Sequence, residues 1–329
     1  MAIQGLELST NVTKKNVKLL FWGKTGSRKT ETVLRNFPHV LIIDAEGNSD
    51  QCVDVPEIKP FLRVKTKDTR QVMEIIDKVA NGEVKFPDGS PVETVCIDSV
   101  SILWSVQQEV AAKSAEKRAE KYNKPKDEAT LTQLDWVMAK RPMKRLSNRF
   151  NGTNIKFLVL IGREKDLYDE NGNDLKKIGV TADVMKGTEY DMSACLHFYF
   201  DGNGKWTYEV TGVKGSLGQK IFPMHSKGNV FPMSELLDYS RNLKPDAKNE
   251  ATEDEIAESI VSEENQERTW SAMLAYAKKF DITQEMLGNI LRGAGFQAFK
   301  VSDWDEMKDA IDKWVSVQSS QPSEAEKQN

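Results

Sequence analysis

One octapeptide restricts the fold more than any other feature: Gly23-Lys24-Thr25-Gly26-Ser27-Arg28-Lys29-Thr30. It lies between the apolar run Lys18–Trp22 and an amphipathic stretch, Lys29–Asn36. A glycine-rich turn that ends a buried strand and opens a helix is a phosphate cradle. Its backbone N–H groups and the helix N-terminus converge on anionic oxygens. Such a turn needs a strand covered on both faces and a helix laid back against it, which implies an α/β sheet. In the pattern G-x-x-x-x-G-K-[ST], the lysine (Lys29) reaches the β- and γ-phosphates of a nucleotide, and the hydroxyl (Thr30) holds Mg²⁺. Gly23, Lys24, Thr25, Gly26, Ser27, Arg28, Lys29 and Thr30 are therefore the expected nucleotide-binding residues. The pattern asks for glycine where this chain has Arg28. Either the Arg28 side chain points away, or the loop takes another path. A guanidinium there also offers a charge that can pair with phosphate.

The chain through residue 243 continues the alternation. Val40–Asp44, Thr94–Asp98 and Phe157–Ile161 are continuous apolar runs, as central parallel strands require. Helical periodicity fills the intervals at Thr69–Asn81, Val100–Tyr122 and Thr130–Asn151, the last interrupted by Pro142, which should kink the helix or start a new one. Asp98 ends an apolar strand, where a carboxylate can order a metal ion and its water. Later, Ala194–Tyr199 and Lys205–Val213 read as a hairpin around Asp201–Gly204, adding antiparallel strands at the sheet edge. Between them and Ile161 lies a long polar insertion, Arg163–Met192, with a turn at Asp169–Asp174.

In their order GKTGSRKT, LIIDAE and VCIDSVSIL, these elements resemble the RecA-type ATPases. The resemblance implies a RecA-like P-loop core with a mostly parallel sheet, binding ATP and Mg²⁺. It implies Glu46 as the base that activates water and Asp98 as the Mg²⁺-associated acid, with Lys29 completing the catalytic set and Thr30 the metal set. The short link from Thr30 to Val40, the Leu134-Asp135-Trp136 helix and the Val213-Lys214 pair after the hairpin look like one branch: compact phage-encoded ATPases of single-strand annealing recombination. The likeness spans roughly residues 15–235. It implies a γ-phosphate sensor after the fifth strand, where Arg163 stands in place of the usual Gln or Asn. It also implies a basic residue supplied by a neighbouring subunit, with Lys214 in that position and Lys220 as the alternative.

Net charge is −4 across 329 residues, but it is uneven. Asp246–Arg268 carries −7 and the remainder +3. A uniformly basic nucleic-acid coat is thereby excluded, and any DNA surface must be local. The expected organisation is an ATPase core over 1–243, an acidic linker over 244–268, a three-helix module over 269–318 and a disordered tail over 319–329. In the module, Thr283 and Ser302 are expected N-caps, and Trp270, Phe280, Phe296, Phe299, Trp304 and Trp314 the expected core. Cys52, Cys96 and Cys195 are scattered, with no metal spacing, and read as reduced thiols. No apolar stretch is long enough to span a membrane or lead secretion, so a cytoplasmic protein is expected (the host's, if phage-encoded).

The resemblance implies single-stranded DNA as a partner, a homo-oligomeric ring or filament, and contact with a single-strand binding protein. Lys140, Arg141, Lys144, Arg145 and Arg149 form one candidate phosphate-tracking stripe. Lys165, Lys176, Lys177 and Lys186, with Tyr168 or Tyr190 as stacking residues, form another. Two other functions share these features: a helicase loader or other motor ATPase, and a nucleotide-binding scaffold or switch that does not hydrolyse.

Overall fold

The computed structural model describes residues 16–121, 125, 128–150, 153, 155–168, 176–241, 270–298 and 303–319. The chain forms two compact units, Met1–Thr252 and Glu253–Asn329. The acidic segment Asp246–Arg268, the Asp169–Asp174 turn, the Ser302 cap, Phe299 and the tail beyond Ser319 lie outside the described residues.

The first unit is an α/β fold around one sheet. Its strands are β1 (Val17–Gly23), β2 (Val40–Asp44), β3 (Leu62–Lys65), β4 (Thr94–Asp98), β5 (Phe157–Tyr168), β6 (Lys177–Asp183), β7 (Ala194–Phe200), β8 (Trp206–Val213) and β9 (Lys227–Gly228). The order is β3-β2-β4-β5-β1-β7-β8-β9, with β6 on β5. The strands from β3 to β7 in that order run parallel, whereas β6, β8 and β9 pair antiparallel. Helices α1 (Lys29–Asn36), α2 (Thr69–Ala80), α3 (Val100–Lys121), α4 (Gln133–Arg149), α5 (Thr188–Asp191), α6 (Gly215–Lys220) and α7 (Met233–Arg241) complete the unit.

The unbroken apolar runs have a direct cause. Successive residues of a strand point to opposite faces, and here both faces are covered. Leu20, Ile43, Ile97 and Leu160 enter one core with side chains of α2, α3 and α4. Leu19, Phe21, Ile42, Cys96 and Val159 enter a second core with Val33 and Leu34 of α1 and Leu236 of α7.

Register then builds a functional edge. Asp44 pairs with Asp98, Asp98 with Ile161, and Gly23 with both Arg163 and Phe198. The carboxyl ends of β1, β2 and β4 thus lie near one level, and β5 and β7 run on past it.

Several expectations change. β3 has only four residues, too short for a periodicity signal. The Arg163–Met192 insertion is not a loop: β5 continues to Tyr168 and pairs with β6. Ala182 and Val180 are its core-facing apolar residues, and exposed ion pairs flank them. Lys177 Nζ lies 2.6 Å from Asp166 and Lys165 Nζ 3.3 Å from Asp183, so no apolar run marks the ribbon. Helix α4 starts at Gln133, not Thr130, because Thr132 and Asp135 form a reciprocal capping box. Pro142 neither ends nor restarts α4, since Ala139, Met143 and Leu146 bury the helix on both sides of it.

The second unit has helices Trp270–Lys278, Gln284–Gly293 and Trp304–Ser319, with Thr283 capping the second. Its fully buried residues are aliphatic and methionine: Met273, Ala277, Leu287, Met307 and Ile311. Trp270, Phe296, Trp304 and Trp314 pack around that centre only partly buried, and Phe280 is exposed. Bulky rings on short helices cover the small core rather than fill it. Among the described residues no helix is long and apolar enough to cross a membrane.

Candidate nucleotide site

Gly23 closes β1 with φ +149°, and a Cβ there would stand 2.1 Å from the Phe198 carbonyl oxygen of β7. No other residue lets β1 and β7 approach so closely. Arg28 occupies the N-cap of α1 with φ 61° and ψ 23°. The loop therefore follows the left-handed path that glycine usually supplies, at a cost of about 1–2 kcal/mol for a residue with a Cβ. The side chain is 57% exposed, and its Nε stands 3.9 Å from Glu31 Oε2.

Lys29 is buried and folded onto the loop's own oxygens. Its Nζ donates to the Gly23 carbonyl at 2.9 Å, the Lys24 carbonyl at 2.8 Å and Ser27 Oγ at 3.3 Å. Burial lowers its pKa, against the opposing charges of Asp98 and Glu46. The loop is braced from outside, because Trp206 Nε1 of β8 donates to the Ser27 carbonyl at 3.1 Å.

Two carboxylates, Asp98 and Glu46, face the loop, and a third, Asp44, supports them from behind. Thr30 Oγ1 donates to Asp98 Oδ2 at 2.6 Å. Burial raises the Asp98 pKa to about 6, opposed by the Thr30 bond and assisted by the charges of Glu46 and Asp44. Glu46 Oε1 accepts from Ser99 Oγ at 2.6 Å and from Arg163 Nε at 2.8 Å, and Oε2 accepts from Asn48 at 3.0 Å. Burial alone would raise the Glu46 pKa, but the bonds from Arg163 and Ser99 outweigh it and the pKa is lowered. Asp44 is structural. It accepts from the Gly47 N–H at 2.6 Å, the Ser49 N–H at 3.0 Å and the Ser49 hydroxyl, and so shapes the turn that presents Glu46.

One cavity of about 400 Å³ opens onto this loop, within the range of small-ligand sites. Thr25–Glu31, Glu46, Asp98, Ser99 and Arg163 form its phosphate-loop side, and Cys52, Val55 and Ile58 an apolar side. The structure thus brings together every expected phosphate-loop residue from Thr25 onward with Glu46, Asp98 and Arg163. Lys214 is not brought to this chain's loop. It follows Val213, which pairs with Ala194, which pairs with Leu19 near the far end of β1. It lines a separate cavity of about 340 Å³ with Lys18 and Asp191. Lys220 is likewise exposed at the end of α6.

Four residues that the motifs did not single out also build the site. They are Asp44, Ser99, Trp206 and Ser101, whose hydroxyl accepts the Arg163 N–H at 2.8 Å. Ser99 carried a signal, because it directly follows Asp98. Trp206 carried none.

No family model matches the sequence, and no curated protein is similar to it. Among solved structures, the chain is similar to the crystal structure of the RadB recombinase, with TM-score 0.36 and 12% identity. The match covers 66% of this chain and 87% of that one. At that distance the likeness assigns no residue a role.

Proposed function

We propose that the chain is a RecA-type ATPase that binds ATP with Mg²⁺ at Gly23–Thr30. The observation that supports this best is the convergence on one cavity of Lys29 and Thr30 after β1, Asp98 at the end of β4 and Glu46 after β2. The donor set suits the metal: a hydroxyl and a carboxylate, both hard oxygen ligands. Bound there, Mg²⁺ would neutralise charge on the β- and γ-phosphates.

The residues' tasks follow from their contacts. Lys29 exchanges the loop carbonyls for phosphate oxygens. Glu46 holds the attacking water and accepts its proton. Arg163, ion-paired with Glu46, is placed to answer the γ-phosphate. Lys214 lies at the far end of the sheet, so a nucleotide it serves belongs to a neighbouring copy in a ring or filament. Phosphate release should be measured for wild type and Glu46→Gln, with and without single-stranded DNA. A wild-type rate no higher than the variant's removes the hydrolysis claim.

Such an ATPase acting on single-stranded DNA in recombination or annealing is the wider reading. It draws on the sequence resemblance and on the exposed Arg141 and Lys144 of α4. Of the other expected contacts, Arg149 is ion-paired with Asp77, and Lys165 and Lys177 are spent within the β5–β6 ribbon. Salt-dependent retention of single-stranded DNA on a filter is the expected result. One observation favours a non-hydrolysing switch: the Glu46 carboxylate is tied by Arg163, Ser99 and Asn48 and is a weak base in that state. The same phosphate-release assay separates the two.

A further inference from the structure

The charged side chains on the cavity wall are unequally committed. Lys29 is held by three oxygens, Asp98 by Thr30, Glu46 by three donors, and Glu31 by Arg35 Nε at 2.7 Å. Arg28 is held least. Its guanidinium meets Glu31 only at 3.9 Å, and Glu31 is already engaged with Arg35. Yet Arg28 lines the cavity at the phosphate loop and holds a left-handed backbone that glycine would adopt freely. A nucleotide brings several negative charges into a cavity whose wall already carries Glu31, Glu46 and Asp98. Of the cations there, Lys29 and Arg163 must first give up close partners, whereas Arg28 gives up a distant one.

We propose that Arg28 is a phosphate-binding residue: as a nucleoside di- or triphosphate enters, its guanidinium leaves Glu31 and pairs with phosphate oxygens. The loop would then supply two cations in sequence, a compact ammonium from Lys29 and a planar fork from Arg28 that can engage two oxygens at once. This assignment rests on the nucleotide reading above. It also gives the strained backbone a use, in keeping with the tendency of such strain to gather at ligand clamps.

Replacing Arg28 by glycine removes the charge and the strain together, so stability and affinity should move in opposite directions. A purely structural role does not do that. The experiment is calorimetric titration of the full-length wild type, Arg28→Gly and Arg28→Lys with Mg·ADP, alongside thermal melting of each without nucleotide. Arg28→Gly is expected to melt roughly 2–4 °C higher. It is expected to bind Mg·ADP about tenfold or more weakly, as loss of a charged hydrogen bond predicts. Arg28→Lys keeps the charge without the fork and should fall between. Arg28→Gly binding as tightly as wild type overturns the Arg28 assignment alone. Wild type failing to bind Mg·ADP overturns the nucleotide reading, and this inference with it.

Discussion

Three carboxylates sit at or just beyond the carboxyl ends of β2 and β4, and their surroundings give them different work. Asp44 is saturated by Ser49 and Gly47 and shapes a turn. Glu46 is ionised and held by Arg163, and Asp98 is buried against Thr30. Glu46→Gln keeps the size and one oxygen that can accept from Ser99 and Arg163, but it loses the acceptor for Asn48 and cannot take a proton. Phosphate release should fall by about 10²-fold or more, with Mg·ADP affinity nearly unchanged by titration. Gly23→Ala is a test of packing rather than chemistry. Its Cβ meets backbone, not a flexible side chain, 2.1 Å from Phe198 O. Chemical denaturation should show a loss of about 3 kcal/mol, in the range of buried strain. Lys29 and Thr30 were legible from the phosphate-loop pattern and Asp98 from its place at the end of an apolar run, whereas Glu46 came from the resemblance to RecA-type ATPases. Ser101 and Trp206 were not legible, because their partners lie far away in sequence, and Asp44 was not, because its role is to cap the turn at Gly47 and Ser49.

Helix α4 is the element whose details depend most on a single side chain. Asp135 caps the helix with Thr132 and receives Arg118 Nη2 of α3 at 2.6 Å. The Arg118 hydrogen bond, followed by those from Thr132, holds the Asp135 carboxyl well below its ordinary range. Its stabilising effect is therefore complete above the ~3.9 of a free aspartate and disappears as pH falls toward the folded value. Asp135→Asn should lower the melting temperature at neutral pH and less so near pH ~3, where the wild type has begun to lose the same contribution. Melting curves across that range check it. Central strands and most helices were legible from periodicity alone. The β5–β6 ribbon was not, since only Ala182 and Val180 of β6 meet the core and charged residues surround them. Nor was β3, whose four alternating residues are fewer than any periodicity can mark.

At the scale of the molecule, two units each have a hydrophobic core of their own. Deleting residues 246–329 should therefore leave Mg·ADP affinity unchanged by titration. It also removes the −7 segment, and tighter retention of single-stranded DNA by the remaining core is expected, because a competing acidic stretch is gone. Lost DNA retention would contradict that. The parallel sheet has one more consequence, and it concerns time. β1 is the earliest of the described strands, yet its two neighbours are β5 and β7. At about 5–20 residues per second, synthesis leaves Val17–Gly23 without either partner for several seconds or longer. Through that interval the nascent chain exposes a strand apolar but for Lys18, the kind of segment that chaperones hold. A ribosome halted between residues 163 and 194 would display a phosphate loop with one flanking strand, no Phe198 beside Gly23 and no Trp206 to brace it.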